Sequence, residues 1–235
     1  MTRVLRIAVL VVTFAAALAA ATPAGSANEC EGLQVCVPIV GPWVSVPAAG
    51  GASRPEVAWQ LICPRSFIVG GLDAELTQRA IDVSFLGMLG SPVNPGITTS
   101  RSVTFVAKHV GSSSGSLSFK PYIGCMPARG GGSRVPTSVS VFPPGQPATR
   151  RSNTVRVRPG AATVTLGCRS GERLVGASHA FGFFTRTPPS ASLASSVSGT
   201  QAVRGGKVVV NVRGDAEVGG VRAVIQLQAL CSRSR

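Results

Sequence analysis

The stretch "CPRSFIVGGLDAE", residues 63–75, decides the fold, because the chain returns to it at residues 168–180 as "CRSGERLVGASHA". Both begin on a cysteine, continue through an apolar segment and reach a Val-Gly step. An offset of 106 residues aligns Val69-Gly70-Gly71 with Val175-Gly176-Ala177 and also Cys125 with Cys231. Reaching Cys63 in that frame takes one extra residue in the second copy. The closing segments match in kind, "SLSFKPYIGC" ending at Cys125 and "RAVIQLQALC" ending at Cys231. Upstream, "WVSVPAAGG" and "TVRVRPGAA" each give a V-x-V strand followed by a Pro/Gly turn. A tandem duplication is the economical reading.

The cysteines set the divisions. Cys63 and Cys125 are 62 apart, Cys168 and Cys231 are 63 apart, and Cys30 and Cys36 remain to close the short loop "CEGLQVC". Of the 15 pairings that six cysteines allow, near-equal spacing favours 63–125, 168–231 and 30–36. By the chain-entropy relation the long bridges contribute about 4 kcal/mol each and the short one about 2.4 kcal/mol. There is no C-x-x-C, and neither His109 nor His179 stands at metal-ligand spacing from a cysteine, so no metal and no cofactor are expected.

Between the cysteines the pattern is β. "IDVSFLGML" alternates Ile81, Val83 and Phe85 against Asp82 and Ser84. "SVTFVAKHV" alternates Val103, Phe105 and Ala107, and "KVVVNV" alternates Val208, Val210 and Val212. Clusters such as "GSPVNPG", "GSSSG", "TPPSAS" and "RGG" read as turns, while "DAELTQRAID" carries helix formers enough for a turn or two. The expected fold is all-β: two tandem small β-sandwich or barrel-like domains from an internal duplication, stabilised by disulfides. Residues 28–147 form the first, including the Cys30–Cys36 loop and a Gly/Pro-rich linker at its end, and residues 148–235 form the second.

Residues 1–27 read as a signal peptide: Arg3 and Arg6 precede an apolar run from Ile7 to Ala21, and small residues follow, with cleavage sites after Ala21 or Ala27. The run falls short of the roughly 20 residues that span a bilayer, and no second apolar span follows. The expected location is therefore secreted, either extracellular or associated with the cell envelope. Removing Arg3 and Arg6 lowers the formal net charge from +14 to +12. Such a charge favours contact with polyanions such as an anionic polysaccharide or wall polymer.

The densest basic stretch is "TRRSNTVRVRPG". As a strand it turns Val155 and Val157 inward and Arg156 and Arg158 outward, with Arg150 and Arg151 just ahead. These four arginines are the expected polyanion contact, through paired N–H donors. No aromatic residue stands among them, so base stacking on single-stranded nucleic acid is not indicated.

Catalytic material is scarce. Gly111-Ser112-Ser113-Ser114-Gly115 matches G-x-S-x-G, but a strand-like segment follows it where a nucleophile elbow needs a helix, so a hairpin turn is expected. Asp73 and Glu75 on one strand stand about 6.8 Å apart, yet glycosidase carboxylates flank the substrate from opposite sides. In the 106 frame Asp73 meets His179 and Glu75 meets Phe181, so the polar groups differ between the copies. Ion pairing with Arg79 is an ordinary role for these acids. Trp59 reads as core, whereas Trp43 and Tyr122 remain possible stacking groups. The expected function is a non-enzymatic binding or interaction module, and the alternative is a secreted hydrolase with a site near Asp73, Glu75 and His179.

Overall fold

A computed structural model describes residues 28–31, 33, 35–48, 55–86, 101–111, 117–128 and 148–233. Residues 1–27, expected from the sequence to be a signal peptide, the Gly/Pro-rich stretch before residue 148 and the serines of "GSSSG" lie outside the described residues. The fold is all-β and antiparallel, in three sheets. Its strands are β1 (Val37–Val40), β2 (Trp43–Val46), β3 (Glu56–Ile62), β4 (Phe67–Leu76), β5 (Ile81–Leu86), β6 (Ser102–His109) and β7 (Leu117–Pro127). The chain continues with β8 (Ala148–Arg156), β9 (Gly160–Gly167), β10 (Glu172–Phe184), β11 (Val197–Arg204), β12 (Lys207–Gly214) and β13 (Arg222–Arg233). A single-turn helix, α1 (Ala191–Ser195), precedes β11, its first turn capped by the Ser190 hydroxyl. Among the described residues no helix is long and apolar enough to cross a membrane.

Period-2 alternation decides which side chains go in. Val103, Phe105 and Ala107 are buried on β6, and Val208, Val210 and Val212 on β12. The segment from Asp73 stays in β4 to Leu76 and then bends, with no helix. Its pairing with β7, from Phe67 opposite Pro127 to Leu76 opposite Phe119, keeps it extended. At "RGG", Gly205 and Gly206 adopt φ of 55° and 70°, the left-handed backbone that a two-residue hairpin turn requires.

Strands on the two sides of residue 148 pair alike. β4 with β7, β3 with β6, β5 with β6 and β2 with β7 form the first set; β10 with β13, β9 with β12, β11 with β12 and β8 with β13 form the second. The registers agree in detail. Val69 faces Cys125 and, after a one-residue shift, Gly71 faces Gly124; Leu174 faces Cys231 and, after the same shift, Gly176 faces Leu230. The bulge takes up Gly70 in one strand and Val175 in the other. This corrects the alignment by string: Leu174, and not Val175, holds the station of Val69. Counting onward, Asp73 stands at the station of Ser178, and Glu75 at that of Ala180.

All three expected disulfides are present, Cys30–Cys36, Cys63–Cys125 and Cys168–Cys231. Each long bridge ties the end of a small sheet (β3 or β9) to the large one (β7 or β13). The large sheet, of seven strands, runs β4-β7-(β1, β2)-β10-β13-β8, with β1 and β2 sharing one edge of β7. It crosses residue 148 without interruption, because Val44 faces Gly182 and Trp43 faces Phe183. The smaller sheets are β3-β6-β5 and β11-β12-β9. One core gathers Val44, Trp59, Phe105, Phe119 and Ile123; the other gathers Phe183, Val210, Ile225 and Leu227.

A polar clasp joins the halves. β3 ends its sheet, and the Gln226 carboxamide covers that edge: Oε1 accepts from the backbone N–H of Gln60 (2.6 Å) and Nε2 donates to the Gln60 carbonyl (3.1 Å). The same amide donates to Thr154 Oγ1 (3.1 Å) and accepts from Gln228 Nε2 (2.9 Å). Ser152 Oγ donates to the Gln60 side-chain oxygen. An unpaired strand edge is thereby satisfied by a side chain that mimics backbone.

Candidate functional site

β8 distributes its arginines according to strand geometry. Arg150 and Arg156 point to one face, whereas Arg151 shares the other with Val155 and Val157. Arg151 and Arg156 are five residues apart, about 17 Å along the strand. Arg156 and Arg158 are exposed at the far end. Arg150 is half-buried, donating to Gln228 Oε1 at 2.8 Å, and desolvation holds its pKa below the ordinary guanidinium value. Arg151 grips Glu172 with two nitrogens, the shortest contact 2.8 Å. The four do not form one patch.

The structure brings other basic residues to Arg150 and Arg151. Glu172 N donates to Arg169 O, and Arg169 N donates to the Glu172 carboxylate, so the turn carrying Arg169 folds onto the Arg151–Glu172 pair. Arg204 faces Lys207 across the β11–β12 turn, and Lys207 faces Gly167, next to Cys168. Arg173 faces Ser232 beside Cys231. Arg169, Arg173, Arg204 and Lys207 are all exposed, and they share the disulfide end of the second half. Sequence reading passed over them because they come from two separate stretches, "CRSGER" and "RGGK". The available signal was "CRSGER", a basic turn directly after a bridged cysteine.

Hydrogen bonds from Arg151 first, then from the Arg169 amide, hold the Glu172 carboxyl below its usual pKa. A depressed carboxylate pKa contributes stability above the unfolded value, near 4.3, that is lost as pH falls through the folded one. Arg151→Ala is therefore expected to lower the thermal midpoint at neutral pH, the gap from the parent closing below about pH 4. Paired melts across pH 3–7 test this; a pH-independent gap assigns the loss to packing. Cys168, Glu172 and Cys231 also cluster, but the sulfurs are bonded to one another and the carboxylate is engaged, so they offer no metal site.

Asp73, Glu75 and His179 do not converge. Asp73 accepts from the Asn28 N–H (2.8 Å) and from its neighbour Ala74 N–H (2.7 Å), and Glu75 accepts from the Tyr122 hydroxyl (3.0 Å). Burial first, and then the Glu75 carboxylate, push the Tyr122 phenol well above its ordinary pKa. His179 lies on β10, three strand spacings or about 14 Å from β4. It borders a cleft of about 450 Å³ where β2 and β10 diverge, together with Ser45, Glu56, Ser178, Phe181 and Gln201. There Nδ1 of His179 donates to Gln201 Oε1 at 2.9 Å, which orients the ring. Ser178 neighbours it on the strand and so points to the opposite face. The cleft thus holds an imidazole oriented by a carboxamide, and Ser45, which also lines it, has a buried hydroxyl with no hydrogen-bond partner among the described residues. Trp43 and Trp59 are both buried, 1% and 2% exposed, and present no stacking platform. Comparison with protein-family models, with curated proteins and with solved structures finds no match.

Proposed function

We propose that the chain is an exported, non-enzymatic binding module built from two copies of one β-sandwich, and that its second half holds an anionic polymer of the cell envelope or its surroundings. The leader-like residues 1–27 and the three bridges support export. Matched pairings and matched bulges on the two sides of residue 148 support duplication, with one copy in residues 28–147 and the other in 148–235.

Charge asymmetry carries the binding reading. Residues 148–233 hold 12 basic residues against 3 acidic, whereas residues 28–147 hold 8 against 6. At the disulfide end the nearby acid, Glu172, is already engaged by Arg151. Arg169, Arg173, Arg204 and Lys207 are left to meet sulfates, phosphates or carboxylates, with Arg150 and Arg151 behind them.

Heparin serves as the test polymer. Retention is expected to fall steeply with salt, and changing Arg169, Arg173, Arg204 and Lys207 to Ala should weaken affinity at least tenfold at low salt. Changing Arg156 and Arg158 to Ala should matter much less. Equal affinity in the parent and the four-site variant would remove this end from consideration.

A further inference from the structure

The turn that opens at Asn28 is seated on the large sheet. Gly71 and Gly124 face each other on β4 and β7, and a Cβ on either would overlap the Glu29 carbonyl. Glycine at both stations lets the turn lie that close to the sheet. The Cys30–Cys36 bridge holds the turn in shape, together with the Glu31 N–H, which donates to the Asn28 carbonyl at 3.0 Å. Asn28 is thus fixed on one side by Glu31 and on the other by Asp73, whose Oδ2 accepts from the Asn28 nitrogen at 2.8 Å.

Three carboxylates gather at this seat. Asp73 and Glu75 share one face of β4, and Asp73 faces Tyr122 across the β4–β7 ladder. The Tyr122 hydroxyl donates to Glu75 at 3.0 Å. Glu29 is only 8% exposed, and its Oε2 is buried without a hydrogen-bond partner among the described residues. Burial first, and then Glu75, Glu29 and Asp73, raise the Tyr122 phenol, so the three negative charges act on one place. Among the described residues no lysine or arginine forms an ion pair with any of them, although the chain holds 23 basic residues against 9 acidic. Lys120 stands opposite Glu75, yet its ammonium lies 5.6 Å from the centres of the Trp43 and Tyr122 rings. Grouped carboxylates, one of them buried, are costly until a positive charge joins them.

We propose that the missing charge is the α-ammonium of the mature chain: the precursor is cut between Ala27 and Asn28, and the new terminus pairs with Asp73 in the field of Glu29 and Glu75. In that cut water adds to the Ala27 carbonyl carbon and the C–N bond breaks. Ala27 leaves as a carboxylate, and the Asn28 nitrogen takes up a proton. A peptidase of the export route supplies the catalysis, and Gly25 and Ala27 are the small residues that such an enzyme reads. The single N–H that Asn28 offers in the precursor becomes three N–H donors carrying a full positive charge. Its bond to Asp73 becomes charge-assisted, the stronger kind. A cut after Ala21 would instead place the ammonium on Thr22, six residues upstream, and leave an amide at the seat. The inference rests on reading residues 1–27 as a leader and is independent of polymer binding.

Export of the full chain, followed by intact-mass and N-terminal peptide analysis, tests the cut. The mature protein is expected to begin at Asn28. A chain that begins at Thr22 overturns the proposal and leaves the leader standing, whereas one that keeps Met1 removes the leader reading and the proposal with it. The pairing is read separately, from the rate at which an acylating reagent labels the Asn28 α-amine across pH 6–9, since an ordinary α-amine has a pKa of about 7.7. The titratable groups around it are Asp73 and Glu75 on β4, Tyr122 and Lys120 on β7, and Glu29 and Glu31 in its own turn. Near pH 7 the folded protein should label at least about threefold more slowly than the same chain unfolded, with the pH–rate profile displaced upward. Asp73→Asn keeps an acceptor oxygen and drops the charge, so it should restore most of the rate and return the profile. Glu29→Gln repeats the test at the buried oxygen, should D73N fail to fold. An undisplaced profile in the parent, or the same profile in the parent and both variants, overturns the pairing.

Discussion

Replacing Cys63 and Cys125 together by Ala is expected to lower the unfolding free energy by about 4 kcal/mol, the entropy of closing a loop of some 60 residues in the unfolded chain. Whole domains are stable by only about 5–15 kcal/mol, so this single bridge accounts for much of the margin. The same figure applies to Cys168 and Cys231. Burial distinguishes the two, since Cys63 and Cys125 are both fully enclosed whereas Cys168 is partly exposed. Graded reduction with trapping of free thiols should therefore open Cys168–Cys231 first and Cys63–Cys125 only as the fold fails. Urea titrations of the paired Ala variants check the magnitude. A loss below about 1 kcal/mol in both would mean that packing of the two cores, and not chain restriction, holds the layers together.

What the sequence revealed, and what it hid, follows from range. The bridges were legible because two long spacings agreed, and strands such as β6 and β12 because alternation is local. The halves' shared sheet was hidden: β2 and β10 meet through only two facing pairs, Val44–Gly182 and Trp43–Phe183, some 140 residues apart. The bulge was hidden because "LVGA" matches "IVGG" as text while the backbone steps over Val175. The arginine run is dispersed in the structure for a geometric reason. Neighbours along a strand are carried apart by about 3.4 Å per residue and alternate faces, so a dense string becomes a dispersed row. The exposed basic cluster instead comes from the β9–β10 turn, the start of β10 and the β11–β12 turn, brought together by pairing. "RAVIQLQALC" hid its packing as well. Its glutamines occupy the polar half of an alternating strand, the usual solvent face, yet Gln226 and Gln228 are 4% and 1% exposed because β3 lies across them.

That burial makes Gln226 the side chain whose loss should cost most after the bridges. Its amide has two acceptor sites and two donors, and all four are used, two of them on the backbone of Gln60. Gln226→Ala removes a hydrogen-bonding partner from a half-buried strand edge that water reaches poorly. Each buried group left unpaired costs about 1–3 kcal/mol, so two backbone groups imply a loss of about 2–6 kcal/mol. Gln226→Leu should fare little better, because filling the volume does not pair the N–H and C=O of Gln60. Gln201→Ala, which removes a carboxamide of the cleft, serves as the control and should cost much less. The readout specific to the clasp is amide exchange at Gln60, slow in the parent and faster in both Gln226 variants by more than the change in global stability explains. If the midpoint and the Gln60 exchange rate stay at parental values, the halves are held by β2–β10 pairing and the apolar contact of Trp59 with Gly182 alone.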